Sequence, residues 1–339
     1  MRPNRAVTPD RILQTGLGFW GSKALLGAVE LGVFTGLAQG GKDLAQLARD
    51  HRLHPRLARD FFDALVVLGF LERRDGLYTN TAEAAEFLDR RQPTYLGHVL
   101  VMANARLHRS WNKLNEGLKT GSPDNEVAPI SDAFGRLCSE PQRLREFLAA
   151  MTEQSRAANR AIARRLPWWD YKTFVDIGTA QGDLAVQVAL ANPHLRGTGA
   201  DVSIVAPIFE DYAAEQGVAE RLRFFSYDFS SDALPKADVI LMGHGHVLHA
   251  FDLETRRSLV RKAYEALPRG GTLLVYENSM DRVSADGAFA LFRGVSELVR
   301  ERDQRDDVAA CRQWMQEAGF RHSRVEPLAS PESIVIAQK

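Results

Sequence analysis

The sequence predicts an α/β fold: a mostly parallel sheet covered by helices, preceded by a mainly helical unit with a winged-helix module. Three observations carry this. From Phe174 onward, short β-rich runs alternate with amphipathic stretches, the pattern of a parallel sheet with crossover helices. Between Asp43 and Thr79 the pattern is helix, turn, helix and hairpin. The 339 residues correspond to about two domains, with the boundary expected near residue 165. This gives a first domain over 1–165 and a second over 166–339.

Composition agrees with a soluble globular chain. Hydrophobic residues make up 45% and charged residues 25%, the ordinary range for a protein with a real core. Lys+Arg and Asp+Glu both number 43, so the formal charge is zero and no general attraction to nucleic acid is expected. Two cysteines, Cys138 and Cys311, are too few for a disulfide framework and suit a reducing cytosol. No apolar run reaches the roughly 20 residues of a membrane span. The first residues, Met1-Arg2-Pro3-Asn4-Arg5, lack the apolar core of a signal peptide, so a cytoplasmic location is expected.

The elements follow in order. Leu25, Val29 and Val33 recur at helical spacing, with Gly32 and Gly36 as breakers. A short helix is predicted over 43–50, a turn over 51–55 and a second helix over 55–68 with Phe61, Leu65 and Leu68 on its apolar face. Two short strands then flank Asp75-Gly76, a strong hairpin signal. The module from 41 to 81 holds seven basic and six acidic residues, and Asp60 and Asp63 sit beside Arg56 and Arg59. A phosphate reader avoids such acids, so the wing is expected to be structural, with no nucleic-acid partner. Residues 82–170 read as mostly helical, with a loop over 120–129. The second half gives strands at 174–177, 223–227, 238–242 and 272–277, helices from 183 to about 191 and over 253–267, and a Gly-rich run ending at Asp201.

The first of those strands leads into Asp176-Ile177-Gly178-Thr179-Ala180-Gln181-Gly182-Asp183. Glycines at a strand-to-helix turn let backbone approach a ligand closely, although this spacing is not the dinucleotide G-x-G-x-x-G. Asp201 stands 23 residues beyond Gly178, at the end of the second strand, where a carboxylate can grip both ribose hydroxyls. Asp228-Phe229, at the end of the third, can offer an adenine amino contact and an apolar face. Together they predict a nucleoside site.

At this point the chain resembles class I S-adenosylmethionine-dependent methyltransferases, in the small-molecule O-methyltransferase branch with an N-terminal winged-helix dimerisation domain. The segments carrying the resemblance are 65–71 (LVVLGFL), 175–182 (VDIGTAQG), 249–253 (HAFDL), 264–271 (YEALPRGG), 275–277 (VYE), 318–320 (AGF) and 333–337 (SIVIA). It implies a Rossmann-like, seven-stranded catalytic domain, S-adenosyl-L-methionine as cofactor and a homodimer. It also implies that Gly178, Gly182, Asp201, Asp228 and Phe229 hold the cofactor, and that Ser155 meets its carboxylate. The acid–base pair implied is His249, as general base, with Glu277 beside it. Histidine suits that task because its pKa lies near the operating pH.

The chain departs from the family pattern in several places. Thr179-Ala180-Gln181 fills the centre of the glycine loop, Ala250 and Phe251 stand where Asp and Trp are usual, and Gly243-His244-Gly245-His246 is two residues longer than usual. A second assisting carboxylate is matched only by Asp306 or Asp307. His244, His246 and His249 also form H-x-H-x-x-H, a metallohydrolase spacing, but Leu248 stands where such sites carry Asp, and no metal is expected. Met102, Asn104, His108 and Trp111 on one helix, with Phe289 and Phe292 on another, are candidate acceptor contacts, and a flat aromatic or polyketide-like acceptor is expected from the resemblance. C- or N-methylation, a cofactor-bound catalyst that transfers no methyl, such as a pericyclase, and a winged-helix regulator remain as alternatives.

Overall fold

Asp75 and Gly76 stand at φ +50° and +80°, the left-handed pair that a two-residue hairpin turn of the primed type needs. They join strands β2 (Leu71–Arg74) and β3 (Leu77–Asn80), whose register closes with Arg74 opposite Leu77. The structure is a computed structural model, and it describes residues 7–120, 139–242, 246–249, 251–278, 308–328 and 332–339. By contact, the chain divides into units 1–109 and 110–339.

The first unit holds α1 (Asp10–Gly16), α2 (Phe19–Glu30) and α3 (Val33–Leu37), with Gly32 at φ +72° separating the last two. Strand β1 (Lys42–Asp43) pairs with β3, giving the three-stranded order β1-β3-β2. Helix α4 (Leu44–Asp50) is capped by Asp43, which accepts from the Gln46 N–H at 2.8 Å while the Gln46 side chain accepts from the Asp43 N–H at 2.9 Å. Such reciprocal capping satisfies two otherwise orphaned donors. Helix α5 (Pro55–Val67) starts on proline, whose missing N–H is not needed there. This is the expected winged-helix module.

One packing detail corrects the expectation. The apolar face of α5 is Ala58, Phe62 and Leu65, all buried, whereas Phe61 is half-buried and Leu68 exposed. Spacings of four and three residues put 58, 62 and 65 on one stripe toward the unit's core, with Phe34, Leu47 and Tyr78. In the neighbouring helices Val29 and Phe34 belong to that core and Leu26 is buried, while Phe19 and Trp20 remain 51% and 62% exposed. Beyond the wing come α6 (Ala82–Phe87), α7 (Gly97–Met102), a π-helical turn (Ala103–Leu107), α8 (His108–Trp111) and α9 (Leu114–Thr120).

In the second unit, α10 (Pro141–Ile162) precedes β4 (Thr173–Ile177), α11 (Asp183–Ala191), β5 (Arg196–Asp201), α12 (Ala206–Glu215), β6 (Leu222–Ser226) and β7 (Val239–Met242). Then follow α13 (His246–His249), α14 (Leu253–Ala266), β8 (Thr272–Asn278), α15 (Val308–Ala318), β9 (His322–Pro327) and β10 (Glu332–Gln338). The seven strands lie in the order β6-β5-β4-β7-β8-β10-β9, parallel from β6 to β8, with β10 antiparallel to both its neighbours. Alternate strand residues feed two cores. Phe174, Leu241, Leu274 and Ile336 face one, under α10, α11 and α12; Val175, Ile240, Val275 and Val335 face the other, under α14 and α15. Because α10 packs its Ala158 and Ile162 into the first of these cores, residues 141–162 group with the sheet.

Strand order reverses between β4 and β7. In open α/β sheets, ligands bind at the carboxyl ends of the strands on either side of such a reversal.

Candidate active site

The loop leaving β4 turns on three left-handed residues, Gly178 (φ +67°), Ala180 (+52°) and Gly182 (+97°). A Cβ on Gly178 would overlap Val247 on α13, and one on Gly182 would come within 2.6 Å of the Phe209 ring. Both glycines are therefore required by close packing as well as by backbone conformation. The Gly178 N–H donates to the Ala200 carbonyl at 2.8 Å, and the Thr179 hydroxyl donates to Asp176 Oδ2 at 2.8 Å. The loop is thus tied to both strands it crosses.

Asp201 is the last residue of β5 and is buried. Its Oδ2 accepts the Ala180 N–H at 2.9 Å and its Oδ1 the Val202 N–H at 2.8 Å. Burial pushes the Asp201 carboxyl up to about 6, the two backbone donors opposing the shift. Burial likewise pushes Asp176 up to about 7, against the hydrogen bond from Thr179. A buried carboxylate at a parallel strand end is the acceptor that a ribose diol requires.

Asp228 and Phe229 lie just beyond β6, which ends at Ser226. Asp228 is exposed, and its Oδ1 accepts from the Ser230 hydroxyl at 2.6 Å and the Ser230 N–H at 2.9 Å, which holds the carboxyl below its usual value. Phe229 is half-buried, 5.0 Å between ring centroids from both Tyr227 and Phe251. Lys262 Nζ fixes the segment by donating to the Phe229 carbonyl at 3.0 Å. Phe251, one of the departures noted in the sequence, is thereby part of the aromatic wall at this end of the site.

Ser155 is buried on α10; its hydroxyl donates to the Met151 carbonyl at 2.8 Å and accepts from Asn159 Nδ2 at 3.3 Å. Asn159 reaches on to Asp183 at the start of α11 and to Tyr276 on β8. Sequence reasoning did not single out Asn159 or Tyr276 and took Asp183 only as the end of the loop. The available signal was that Asn159 follows Ser155 by four residues on a helix, one turn along the same face.

Backbone placement puts the expected acid–base pair on the short helix after β7 and on the neighbouring strand β8. His249 ends α13, after β7; Glu277 lies on β8, which pairs with β7 in parallel and sets Glu277 opposite Ser333. The side chains of His246, His249 and Glu277 lie outside the described residues, as do His244, Ala250, Asp306, Asp307, Phe289 and Phe292. Met102, Asn104, His108 and Trp111 do not lie on one regular helix: the π-helical turn 103–107 intervenes and shifts their register. Asn104 accepts from Lys23 Nζ and donates to Glu30 Oε1 at 2.7 Å, so its amide is tied to α2. Among the described residues, no three His, Cys, Asp or Glu side chains are grouped to hold a metal ion.

Comparison with known proteins places this geometry. The O-methyltransferase domain family matches residues 111–321, and the O-methyltransferase dimerisation domain family matches residues 13–90. The tetracenomycin polyketide synthesis 8-O-methyl transferase TcmO of Streptomyces glaucescens is 37% identical over 342 residues, covering 100% of this chain and 99% of that protein. The N,N-dimethyltransferase OxyT of Streptomyces rimosus is 34% identical over 316 residues, covering 93% and 91%. Human N-acetylserotonin methyltransferase, solved in complex with SAM, shares the fold with a TM-score of 0.87 at 23% identity, covering 100% of this chain and 99% of that one. Among the described residues, no helix is long and apolar enough to cross a membrane. Both halves of the sequence agree, and the chain belongs to the O-methyltransferase family, with a dimerisation domain ahead of its catalytic domain.

Proposed function

We propose that this protein transfers a methyl group from S-adenosylmethionine to a hydroxyl of a small aromatic or polyketide-like metabolite, working as a homodimer. The observation that carries the reading is Asp201, a buried carboxylate at the end of β5 that faces the glycine loop. The donor set fits this cofactor: Asp201 suits the ribose diol, the Phe229 ring suits the adenine face, and the backbone of 178–182 leaves room for close approach. S-adenosylmethionine, when bound, supplies a methyl already activated on a sulfonium. The chain then needs only to align the acceptor and remove its proton. His249 takes that proton, and Glu277 orients the imidazole and stabilises its charged form. This assignment rests on the family resemblance of 249–253 and 275–277, on the position of His249 after β7 at the strand-order reversal, and on that of Glu277 on the adjoining strand β8. Exposed Phe19 and Trp20 within the dimerisation domain support the homodimer.

N-methylation is kept as a second reading because OxyT, a relative of this chain, is named an N,N-dimethyltransferase. Incubation with labelled methyl donor and matched acceptors bearing either a phenol or an aromatic amine separates the two. Label on the phenol oxygen is expected. Transfer to the amine alone would favour the second reading, and no transfer together with no binding of S-adenosylhomocysteine would overturn both.

A further inference from the structure

A buried polar chain runs from α10 through the start of α11 to β8. Asn159 Nδ2 donates to Asp183 Oδ2 at 2.8 Å, and Asn159 Oδ1 accepts from the Tyr276 hydroxyl at 3.1 Å. Asp183 Oδ1 accepts from the Tyr212 hydroxyl at 2.9 Å and from Gln187 Nε2 at 3.1 Å. Asn159 and Asp183 are 2% and 3% exposed. The orientation of the Asn159 amide is settled by its partners: only Nδ2 can face a carboxylate, and only Oδ1 can accept from Tyr276. Its remaining N–H goes to Ser155 Oγ at 3.3 Å, so the Ser155 hydroxyl proton is directed to the Met151 carbonyl. Four elements are locked by one carboxylate and one amide, directly beneath the glycine loop.

The sheet order tells which part of the methyl donor lies there. Phe229 follows β6 and Asp201 ends β5, so adenine and ribose occupy successive strands of the order β6-β5-β4. The next step reaches β4, its glycine loop and the adjoining start of α11. That is where the amino acid tail, the charged end of the molecule, must run.

We propose that Asn159 and Asp183 are positioning residues for the aminocarboxylate tail of the methyl donor: Asp183 fixes the Asn159 amide, and that amide sets the polarity of Ser155 and of the wall the tail meets. The inference rests on the cofactor reading above. A buried charge fixed in this way costs desolvation unless fully hydrogen-bonded, and its three donors here satisfy it. The zwitterionic tail senses both the charge and the direction of the amide. Adenosine, which has no tail, senses neither.

Two variants test this, with affinities for S-adenosylhomocysteine and adenosine measured by calorimetry and with thermal melts. Asp183→Asn keeps the shape and removes the charge. It is expected to weaken S-adenosylhomocysteine roughly tenfold, the loss of a charge-assisted bond, with adenosine nearly unchanged. The exchange variant Asn159→Asp with Asp183→Asn restores the bonds to Tyr276, Tyr212 and Gln187 and the one between residues 159 and 183, because residue 183 then donates to residue 159; the contact to Ser155 Oγ, which a carboxylate cannot donate, is lost. It also moves the negative charge next to Ser155. Its melting temperature is expected to return toward that of the unaltered chain, while the selective loss of S-adenosylhomocysteine persists. A purely structural role would instead lower both affinities in parallel, or recover both with the melting temperature, and either result overturns the inference. Failure of the unaltered chain to bind either ligand would overturn the cofactor reading and this inference with it.

Discussion

Asp201 Oδ2 accepts the backbone N–H of Ala180 at 2.9 Å, and Ala180 is the non-glycine residue of the loop held left-handed, at φ +52°. A side-chain-bearing residue in that conformation costs about 1–2 kcal/mol, comparable to the roughly 1.5–3 kcal/mol of a hydrogen bond to a charged group. The acid at the end of β5 therefore holds the loop in shape, a role separate from the ribose contact proposed for it.

Ala180→Gly removes the conformational cost in the folded state but loosens the unfolded chain. It is expected to leave stability within about 1 kcal/mol and cofactor binding intact. Ala180→Val puts a β-branched side chain at positive φ and is expected to cost on the order of 1–3 kcal/mol. Denaturant unfolding of the two variants checks this, and a stable Ala180→Val would show that the loop does not hold this conformation in solution.

Burial raises Asp201 from 3.8 to about 6 and Asp176 from 3.8 to about 7. For an acid raised on folding, the native state binds the extra proton. Stability therefore falls as pH rises from about 4 to about 7, and the penalty is complete above the folded value. Asp50, Asp89 and Asp228 are lowered, so their contributions are lost only below the unfolded value, outside this window. The ligand-free chain is expected to melt higher near pH 5 than near pH 8. Ribose hydroxyls donate to the ionised acid, so S-adenosylhomocysteine affinity should drop about tenfold per pH unit below about 6 and level off above it. Asp201→Asn should flatten that profile and weaken binding. Calorimetry across pH reads both, and a wild-type profile without a bend near 6 would remove Asp201 from the ribose role.

The parts of this fold that were legible in the sequence are those fixed by neighbours in the chain. Asp75-Gly76 announces its hairpin because both residues tolerate positive φ, and α11 matches its expected bounds because a left-handed Gly182 starts it and Asn192 follows its end. What was not legible depends on residues far apart in sequence. β9 was not anticipated, and β10 inserts between β8 and β9, pairing with the first across more than fifty residues. The Asn159–Tyr276 bond spans 117 positions. Asp201 could be found because strand ends recur with the βαβ period, whereas nothing in the local pattern around 102–111 marks a π-helical turn.

Phe19 and Trp20 pack edge to face, 6.0 Å between centroids, yet stay more than half exposed on the first turn of α2, and Ile12 and Leu13 on α1 are exposed as well. Apolar surface of this kind, in a unit whose own core is already filled by Phe34, Phe62 and Leu65, is suited to a second copy. An interface of about 2,000 Å² or more is expected. Trp20→Asp should shift the chain toward monomer in light scattering while its wing hairpin stays folded by circular dichroism. A wild-type monomer at micromolar concentration that binds the cofactor would refute the assembly.

The last prediction concerns the residue after β7. Val247 packs where a Cβ on Gly178 would fall, so α13 and the glycine loop are in direct contact, and His249 ends that same helix. A base there lies next to the strand-order reversal, where the transferred methyl is expected. His249→Ala should lower turnover on the order of 10²–10⁴-fold while S-adenosylhomocysteine binding stays intact. His244→Ala and His246→Ala should be milder, and chelators should change nothing. Equal loss in all three, with one metal per chain by elemental analysis, would replace the base with a metal site. Ala250 and Phe251 stand where the family usually carries Asp and Trp, so the pH dependence carries the decision. If His249 is the base, the variant loses rate across the whole range and regains some at high pH, where the phenol ionises unaided. If the acceptor is already ionised when bound, His249→Ala is as active as the unaltered enzyme at every pH, and the fold accelerates transfer by alignment alone.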